Sequence, residues 1–447
     1  MHPQSSSRRN VRPNSSNAIR TLAVGAIIPM LIGLAACGGG PDADMVRAEG
    51  VSMRVVSPAD ASALGDIVNA SRAVGTTVLS GADRENNVVV SPASLASALA
   101  MLTEGAQGAT LSDLEAALGA TGEDRRDAFA ALRAVIGEFD GDPSDATGDE
   151  LPENALIHLA NRLVVHDDFE VRDEFLRALA DGFGTGVQRA DLTSAASKKV
   201  LDEWVKHHTG GLISKSAIEP NADLRLVIQD AVLFAARWAT PFESAGTVDL
   251  PFTLGTGGSV AVPTMSIHDE PFAYADLTDG WVAVRLPYTS GAVADVLLPP
   301  AGTDPAEASP ELLAEAAQKL GAAQPAPASV WLPTIDFKDK IDLIQGGAIG
   351  GLGIGSILCG NPDVDLSGIA LSPGDLCVQQ AAQQVVLRVN EAGTIAAAVT
   401  ELGVFAGSAP MEAPQVREIR FDRPFLFTIN HDSTGWPLFY AAIRDPR

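Results

Sequence analysis

This sequence of 447 residues contains serines, histidines and glycines that could serve catalysis or cofactor binding, but they do not have the spacing of a hydrolase or dinucleotide-binding motif. A serine hydrolase needs a serine activated by a neighbouring histidine, and the sequence contains no G-x-S-x-G segment. Seven glycines between 346 and 360 lack the G-x-G-x-x-G spacing of a dinucleotide site. We therefore expect no enzyme and no cofactor. The internal histidines stand outside any triad pattern: His158, His166, His207, His208, His268 and His431.

Metal binding has little support in the same residues. His207 and His208 stand at the end of a predicted helix, where a solvated pair that favours the helix dipole is a simpler interpretation than a metal site. Asp363 and Asp365 are more typical of a turn than of a calcium loop. Three cysteines in the whole chain exclude both a disulfide scaffold and a multi-cysteine zinc site. We expect no metal.

The stretch 385–410 has the most unusual composition. It begins as an apolar strand, breaks at Asn390-Glu391, and continues through Gly393 into a run of small residues. If this run forms a strand, side chains alternate, and one face carries only Thr394, Ala396, Ala398 and Thr400. That face is small enough to slide between two existing strands. Composition alone leaves an alanine-rich helix ending at Gly403 equally open, because alanine is the best helix former.

The N-terminal part of the chain predicts export and anchoring. Residues 1–36 carry four arginines, no acid, and an apolar run too short for a comfortable membrane span. The run ends in Leu-Ala-Ala before Cys37, which is similar to a bacterial lipobox, in which the cysteine is lipidated; an ordinary signal with an incidental cysteine is the alternative. Residues 37–57 are predicted to be the lipid anchor and a flexible tether. We expect an exported protein, lipid-anchored on a bacterial membrane and facing the periplasm or the cell exterior.

The overall charge limits the partners. The formal net charge is −25, and a strongly acidic chain repels nucleic acid, whose phosphates need Lys and Arg. The charge is better explained by solubility after export. We therefore expect no nucleic-acid partner, and membrane contact only through the lipid anchor.

Several motifs in the remaining chain occur in one order that resembles the serpin family. Segment 87–119 carries Asn, three valines and Ser-Pro-x-Ser before a helix that ends in Gly-Ala-x-Gly-x-Thr. Segment 385–410 matches the family's hinge, an acidic residue followed by Gly, Thr and small residues. The apolar hairpin 421–446 is similar to the family's C-terminal signature. Further matches lie at 159–179, 200–213, 262–265, 286–288, 296–299 and 365–369. The apolar run 226–242 is predicted to be a fully buried central strand.

The resemblance implies an α+β serpin fold. It comprises a large, mostly antiparallel five-stranded sheet, two smaller sheets, about nine helices and an exposed reactive loop. Residues 58–447 would form this single domain, and the reactive loop would lie at about 391–415. Carried over to this sequence, the hinge residues are Glu391, Gly393, Thr394, Ala396, Ala397 and Ala398.

Two further predictions concern the interior. The resemblance assigns Ser91, Ser94, Asp230 and Gln383 to the shutter, where two central strands part. Asp230 stands where the family has Asn, and Gln383 where it has His; a Gln could still donate to the Asp. Cys359 and Cys377 are expected to form a disulfide, because an exported protein folds in an oxidising compartment, although two buried thiols remain an alternative.

The resemblance implies a suicide inhibitor of serine proteases. Counting sixteen residues from Glu391, as in the family, places the reactive bond at Gly407–Ser408 and favours elastase- or subtilisin-like targets. A shift to Phe405–Ala406 would favour chymotrypsin-like enzymes. The alternatives are a non-inhibitory serpin acting as a binding or chaperone-like surface protein, and an adhesion module on the same scaffold. We expect a monomer.

Overall fold

A helix with no exposed side, α2 (Pro92–Thr103), lies at the centre of the fold, and all twelve of its residues are buried. Its start is fixed by local chemistry. The Ser91 hydroxyl accepts a hydrogen bond from the Ser94 amide at 3.3 Å. Pro92, at the first helical position, needs no hydrogen-bond partner for its nitrogen. The small and apolar residues of α2 then pack between the two sheets of the molecule.

The computed structural model describes residues 45–147, 151–371, 376–394 and 416–447. These residues fold as one unit that contains eight α-helices, each starting and ending within the described chain. No helix among them is both long enough and apolar enough to cross a membrane. Besides α2, the helices are α1 (Leu64–Gly81), α3 (Gly108–Leu118), α4 (Gly122–Gly137), α5 (Asp173–Phe183), α6 (Ala195–His208), α7 (Pro310–Ala322) and α8 (Ala348–Gly351).

The first sheet is the one that holds the candidate site, and seven described strands form it. Only the pair formed by β3 (Leu156–His166) and β4 (Val187–Ala190) is parallel. Two of the seven strands contain only two residues each, which leaves the expected five longer strands. In spatial order the strands are β1 (Met45–Val46), β4 (Val187–Ala190), β3 (Leu156–His166), β5 (Leu226–Arg237), β13 (Gly393–Thr394), β12 (Ala382–Val389) and β11 (Ile335–Asp342).

The second sheet differs from the expectation of two smaller sheets. Its strands are continuous because one of them, β7 (Ser259–Asp276), is eighteen residues long. It pairs with β6 (Val248–Thr253) and β10 (Ala326–Pro333) through one part and with β8 (Val282–Pro287) through the other. In spatial order they are β14 (Arg417–Arg420), β10 (Ala326–Pro333), β7 (Ser259–Asp276), β8 (Val282–Pro287), β9 (Ala292–Leu298), β15 (Phe425–His431), β16 (Pro437–Ile443) and β2 (Val88–Val90), with β6 (Val248–Thr253) beside β7.

The predicted C-terminal hairpin, β15 and β16, lies well inside the second sheet, and every residue of β16 is buried. Continuous apolar sequence therefore marks strands with both faces covered. The predicted central strand 226–242 is shorter than expected and is not fully buried on both faces. Its β-structure ends at Arg237, and Ile228, Asp230 and Val232 on one face are only half-buried.

The described part of the predicted tether packs against the fold instead of extending from it. β1 adds to the edge of β4, with Met45 opposite Gln188. Arg54 makes ion pairs with Glu123, Asp127 and Asp181, which lie on α4 and α5. Composition did not indicate this docking, because the partners of Arg54 are distant in sequence.

Cys359 and Cys377 are joined by a disulfide, with their Cα atoms 4.9 Å apart. The adjacent residues Leu358 and Val378 form a parallel β-bridge, which brings the two segments together.

Candidate functional site: the opening of the central sheet

The hinge predicted to be an exposed loop starts inside the first sheet. Thr394 pairs with Ala236 of β5 on one side and with Val389 of β12 on the other. Adjacent strands lie about 4.8 Å apart, so β5 and β12 are separated here by roughly 10 Å, the width of one added strand. The prediction of full exposure from residue 391 is therefore wrong for its first residues, because Gly393 and Thr394 are buried.

A tight turn brings the chain from β12 into this position. The Asn390 side chain accepts hydrogen bonds from the amides of Ala392 and Gly393, at 3.0 and 3.1 Å. An Asn that bonds to its own following backbone is a common way to close such a turn. The turn reverses the chain so that β13 runs antiparallel to β12.

The position of Gly393 has no room for a side chain. A Cβ atom there would meet the Ala236 carbonyl oxygen, would lie 2.8 Å from the Arg237 Cα, and would lie 2.9 Å from a Leu151 methyl group. Two of these three neighbours are backbone and cannot move aside easily. The close approach of β5 is therefore the reason that this position holds a glycine.

Thr394 is held by an aromatic cluster. Its hydroxyl is hydrogen-bonded at 2.6 Å to the hydroxyl of Tyr288, and Thr394 is only 1% exposed. Burial raises the pKa of the Tyr288 phenol, so it stays protonated. The Tyr288 ring stacks on Trp238 with centroids 4.4 Å apart and meets Phe234 edge-on at 4.9 Å. The rigid rings fix the position of the hydroxyl that binds Thr394.

The residues before Gly393 are also paired. The Trp238 indole donates to the Asn390 carbonyl at 2.9 Å, and the Trp238 amide donates to the Ala392 carbonyl at 3.0 Å. The Glu391 carboxylate accepts the Thr247 hydroxyl at 2.5 Å. The seated hinge, Asn390–Thr394, is therefore anchored through main chain and side chains. Trp238, Tyr288 and Thr247 were not identified from sequence as site residues, because their contribution depends on contacts across the fold.

Below Thr394, no described strand lies between β5 and β12. Among the described residues, no ladder joins β5 to β12 directly, and β13 is the only strand between them. Two small cavities, of about 40 and 20 Å³, adjoin the gap on its two faces. Ile228, Asp230 and Ala382 line both. We call this gap the slot: the space between β5 and β12 below Thr394.

The predicted shutter residues lie at the level of the middle of the slot, but they do not form the expected pair. The Gln383 amide accepts the Ser91 N–H at 2.7 Å and donates to the Ser91 carbonyl at 3.1 Å. Gln383 therefore bonds to the Ser91 backbone, and the described structure contains no hydrogen bond from Gln383 to Asp230. The Ser91 hydroxyl is used to cap α2.

Asp230 has no cationic partner among the described residues. Burial raises its pKa to about 6, and the nearby Ser94 hydroxyl opposes this shift with a smaller effect. Within the described chain, the Ser94 hydroxyl makes no hydrogen bond of ordinary length. Among the described shutter residues, the Ser94 hydroxyl is therefore the buried polar atom without an ordinary hydrogen bond, and the half-buried Asp230 carboxylate is the group with which it interacts.

The remaining predicted residues lie outside the described part of the chain. These are Cys37, the hinge alanines Ala396, Ala397 and Ala398, the reactive bond Gly407–Ser408, and its alternative Phe405–Ala406. The described chain resumes just before β14, which pairs in parallel with β10 in the second sheet. The segment that would carry the reactive bond therefore connects the seated hinge to the other sheet.

The histidines that were weighed as metal ligands have other partners. His208 is buried, so the solvated interpretation of the 207–208 pair is wrong for this residue. Its Nδ1 lies 2.9 Å from His158 Nε2, and His158 Nδ1 lies 2.6 Å from Asp140. In the described ranges, one group has ligand atoms close enough for a metal, namely His166, Asp167 and Asp168. His166 Nδ1 already accepts the Asp168 amide at 3.2 Å and both carboxylates are exposed, so we assign this group to the turn that ends β3.

Comparisons with known proteins agree with the fold. Residues 75–446 match the family model "Serpin (serine protease inhibitor)". A serine protease inhibitor of Cyanea capillata is 30% identical over 373 residues, which cover 81% of this chain and 93% of that protein. The native thermophilic serpin tengpin superposes with a TM-score of 0.73 at 21% identity, over 90% of this chain and 97% of the other. Human thyroxine-binding globulin, complexed with its hormone, gives 0.71 at 21% identity, over 86% and 100%.

The family model spans nearly all of the described fold, including both sheets, the slot and the seated hinge. The sequence motifs, the strand order and these relatives all lead to one assignment. The chain belongs to the serpin family.

Proposed function

We propose that this protein is a suicide-substrate inhibitor of serine proteases. The observation that carries the proposal is the seated hinge, which already pairs with both β5 and β12 at the top of the slot. A chain segment that enters the sheet at one end, and is followed by residues with a small face, has an available path into the slot. Insertion by β-strand addition satisfies backbone groups that an exposed loop leaves to solvent.

The chemistry begins as an ordinary acyl transfer. The protease serine attacks the carbonyl carbon of the residue before the reactive bond, and the peptide C–N bond breaks. The nitrogen leaves as an amine after taking up the proton that the serine lost. The new acyl ester keeps the protease attached to the segment that starts at the hinge.

The geometry gives this segment enough reach. β5 has twelve residues, which span about 40 Å at roughly 3.4 Å each. The segment from Gly393 to Gly407 extends about 50 Å at the same rise. Insertion along the whole of β5 would therefore carry the acylated residue past the far end of the sheet. The attached protease would be pulled against that end, which distorts its catalytic site and traps the ester.

We place the reactive bond at Gly407–Ser408, so the residue entering the specificity pocket of the protease is glycine. A glycine cannot reach an acidic pocket as Arg or Lys would, and this favours elastase- or subtilisin-like enzymes over trypsin. Phe405–Ala406 would instead favour chymotrypsin-like enzymes. N-terminal sequencing of the fragment released by a trapped protease distinguishes them, because it starts at Ser408 or at Ala406.

The test is incubation with elastase-, subtilisin-, chymotrypsin- and trypsin-like proteases, followed by denaturing electrophoresis. We expect a complex that survives SDS with at least one of the first three. Cleavage of the loop by every protease without any such complex would contradict inhibition and favour the non-inhibitory alternative.

We further propose that the mature protein is anchored through lipid on Cys37 and acts at a bacterial membrane surface. Two or more acyl chains make such anchoring stable. Mass spectrometry of the mature protein should find a lipid-modified cysteine at its N-terminus. An unmodified N-terminus at any other residue would contradict this assignment.

A further inference from the structure

The N-terminal segment 45–56, which we call the docked segment, is fixed to the edge of the first sheet. Its first two residues form β1 beside β4, and the Arg54 amide donates to the Asp181 carbonyl at 2.8 Å. The Arg54 guanidinium lies 2.6 to 2.8 Å from carboxylate oxygens of Glu123, Asp127 and Asp181. A guanidinium shared by three carboxylates is held more firmly than a single exposed ion pair. The docked segment is therefore part of the folded body.

The outward side of the docked segment is unusually apolar. Within the described ranges, five large apolar side chains are highly exposed, and three of them lie in these twelve residues. They are Val46, Met53 and Val55, which are 41%, 44% and 77% exposed. Single exposed apolar residues are ordinary, but a group of them marks a contact surface. Their concentration in one short segment therefore indicates a partner that offers an apolar environment.

The chain before the docked segment indicates which partner this is. Cys37, the proposed site of lipid attachment, stands eight positions before Met45. Eight residues span at most about 29 Å when fully extended, so a lipid on Cys37 would hold the bilayer surface within that distance of β1. Because the lipid supplies the affinity, a second contact close to it becomes intramolecular and does not need to be strong by itself.

The charge of the docked segment also fits a membrane surface. The whole chain carries a formal charge of −25, so most of its surface is repelled by anionic lipid headgroups. Residues 45–56 contain two arginines and one acid. One of these arginines, Arg47, is exposed next to Val46 and is available to headgroup phosphates.

We propose that the docked segment is a second membrane contact, in which Val46, Met53 and Val55 lie against the headgroup region of the bilayer that holds the lipid on Cys37. The inference rests on the proposed lipid anchor and adds to it the face of the protein that meets the membrane. Because Arg54 fixes the docked segment to α4 and α5, this contact sets the orientation of the whole folded body.

The membrane contact and the seated hinge lie on separate parts of the body. Through the ladders of β4 and β3, Val46 is level with Ile228 of β5, whereas Thr394 is level with Ala236. Eight residues along β5 at about 3.3 Å each and three strand spacings of about 4.8 Å separate the two places by roughly 30 Å. Contact with the bilayer therefore does not cover the hinge.

The test uses the full-length lipidated protein, purified from bacterial membranes and reconstituted into vesicles of phosphatidylethanolamine and phosphatidylglycerol with brominated acyl chains. Val55→Trp places a fluorophore at the most exposed apolar position of the docked segment. Val248→Trp is the matched control, because Val248 is 53% exposed and follows Thr247, which bonds to Glu391 at the hinge. The fluorescence of the wild type is subtracted to remove the five native tryptophans. We expect the added fluorescence of Val55→Trp to be quenched and shifted to shorter wavelength, and that of Val248→Trp to be unchanged.

Hydrogen exchange gives a second measurement that needs no substitution in the docked segment. Vesicle-bound wild type is compared with Cys37→Ala, which has no site for the lipid and should remain in solution. We expect the amides of 51–56 to exchange more slowly on vesicles, and those of 248–253 to exchange at the same rate in both proteins.

The outcomes separate this inference from the proposals on which it rests. Wild-type protein that does not float with the vesicles would overturn the lipid anchor, and this inference with it, without affecting protease inhibition. Flotation without quenching in Val55→Trp, or with equal quenching in Val55→Trp and Val248→Trp, would leave the anchor standing and overturn the proposed face. If Val55→Trp does not fold, Val46→Trp replaces it with the same expectation.

Discussion

The top of the slot and its middle differ sharply in how completely their polar groups are satisfied. At the top, the hinge residues are paired through Asn390, Trp238, Thr247 and Tyr288. In the middle, Asp230 lines both small cavities, and the Ser94 hydroxyl makes no hydrogen bond of ordinary length among the described residues. Both ends belong to the same pair of strands, so the difference shows that the sheet is complete where β13 lies and incomplete below it.

The polar groups in the middle of the slot affect the stability of the uncleaved protein. A native protein usually pairs its buried polar groups, and exceptions gather at functional sites. The slot is such an exception. It would be completed by one more strand, so the uncleaved state would persist through a kinetic barrier and not as the most stable arrangement.

Among the substitutions at the top of the slot, Thr394→Arg should have the largest effect on complex formation. An arginine at this buried position would bring an unpaired charge against Tyr288, so we expect the seat to be lost and the insertion to fail. Proteases should still cleave the loop, but the yield of SDS-stable complex should fall to the detection limit. Ile395→Arg is the matched control, because in an inserted strand the alternation of side chains would direct residue 395 to the opposite face. Equal loss of complex in both variants would show that charge in the loop, and not the seat, is responsible.

Gly393→Ala tests the close approach of β5. The added methyl meets backbone of Ala236 and Arg237, and we expect a loss of about 1 to 3 kcal/mol in the free energy of unfolding of the uncleaved protein. Fluorescence should also change, because Trp238 covers the hinge. Ala392→Ser, at the exposed neighbouring position, should stay within about 0.5 kcal/mol. A similar effect from both substitutions would contradict the steric argument.

The pH dependence of the stability of Asp230→Asn, compared with that of the wild type, tests the middle of the slot. Because burial raises the pKa of Asp230 in the folded protein to about 6, above its ordinary value, the folded state binds this proton more tightly than the unfolded state does. The contribution of Asp230 to stability should therefore fall as the pH rises from about 4 to above 6. Asp230→Asn lacks this dependence, and above pH 7 it should be more stable than the wild type by at most about 3 kcal/mol.

Denaturation of the uncleaved protein between pH 4 and 8 measures this difference. The two proteins should converge near pH 4, where Asp230 is protonated in the folded state. A difference that does not change with pH would mean that the ionisation of Asp230 is not its cause.

Tyr288→Phe should have the smallest effect. It keeps the stacking on Trp238 but leaves the buried Thr394 hydroxyl without its partner, which costs about 1 to 2 kcal/mol. Thermal denaturation of the uncleaved protein measures the loss. Tyr274→Phe, at a half-buried position in β7, is the matched control and should be nearly neutral. If Tyr288→Phe and Thr394→Val together lose as much as their separate losses added, the two hydroxyls are not coupled.

The sequence predicted the fold class well because helix caps, turns and apolar runs are local patterns that recur along the chain. Ser91 and Pro92 start a helix by capping chemistry, and the apolar run in 425–443 forms a hairpin in the second sheet. The continuity of that sheet was not predicted, because it depends on β7 being shared between two sets of partners. The docking of Arg54 on α4 and α5 was missed for a similar reason.

By itself, the sequence determined the residue types that make insertion feasible: a glycine at 393, a threonine after it, and a face of small side chains. It could not determine where that stretch begins to be buried. Only the tertiary structure decided that Gly393 and Thr394 are already paired, and that Gln383 bonds to Ser91 and leaves Asp230 without it. The physical reason is that backbone geometry and side-chain size act over a few residues, whereas a hydrogen-bond partner is chosen by every group that the fold brings within reach.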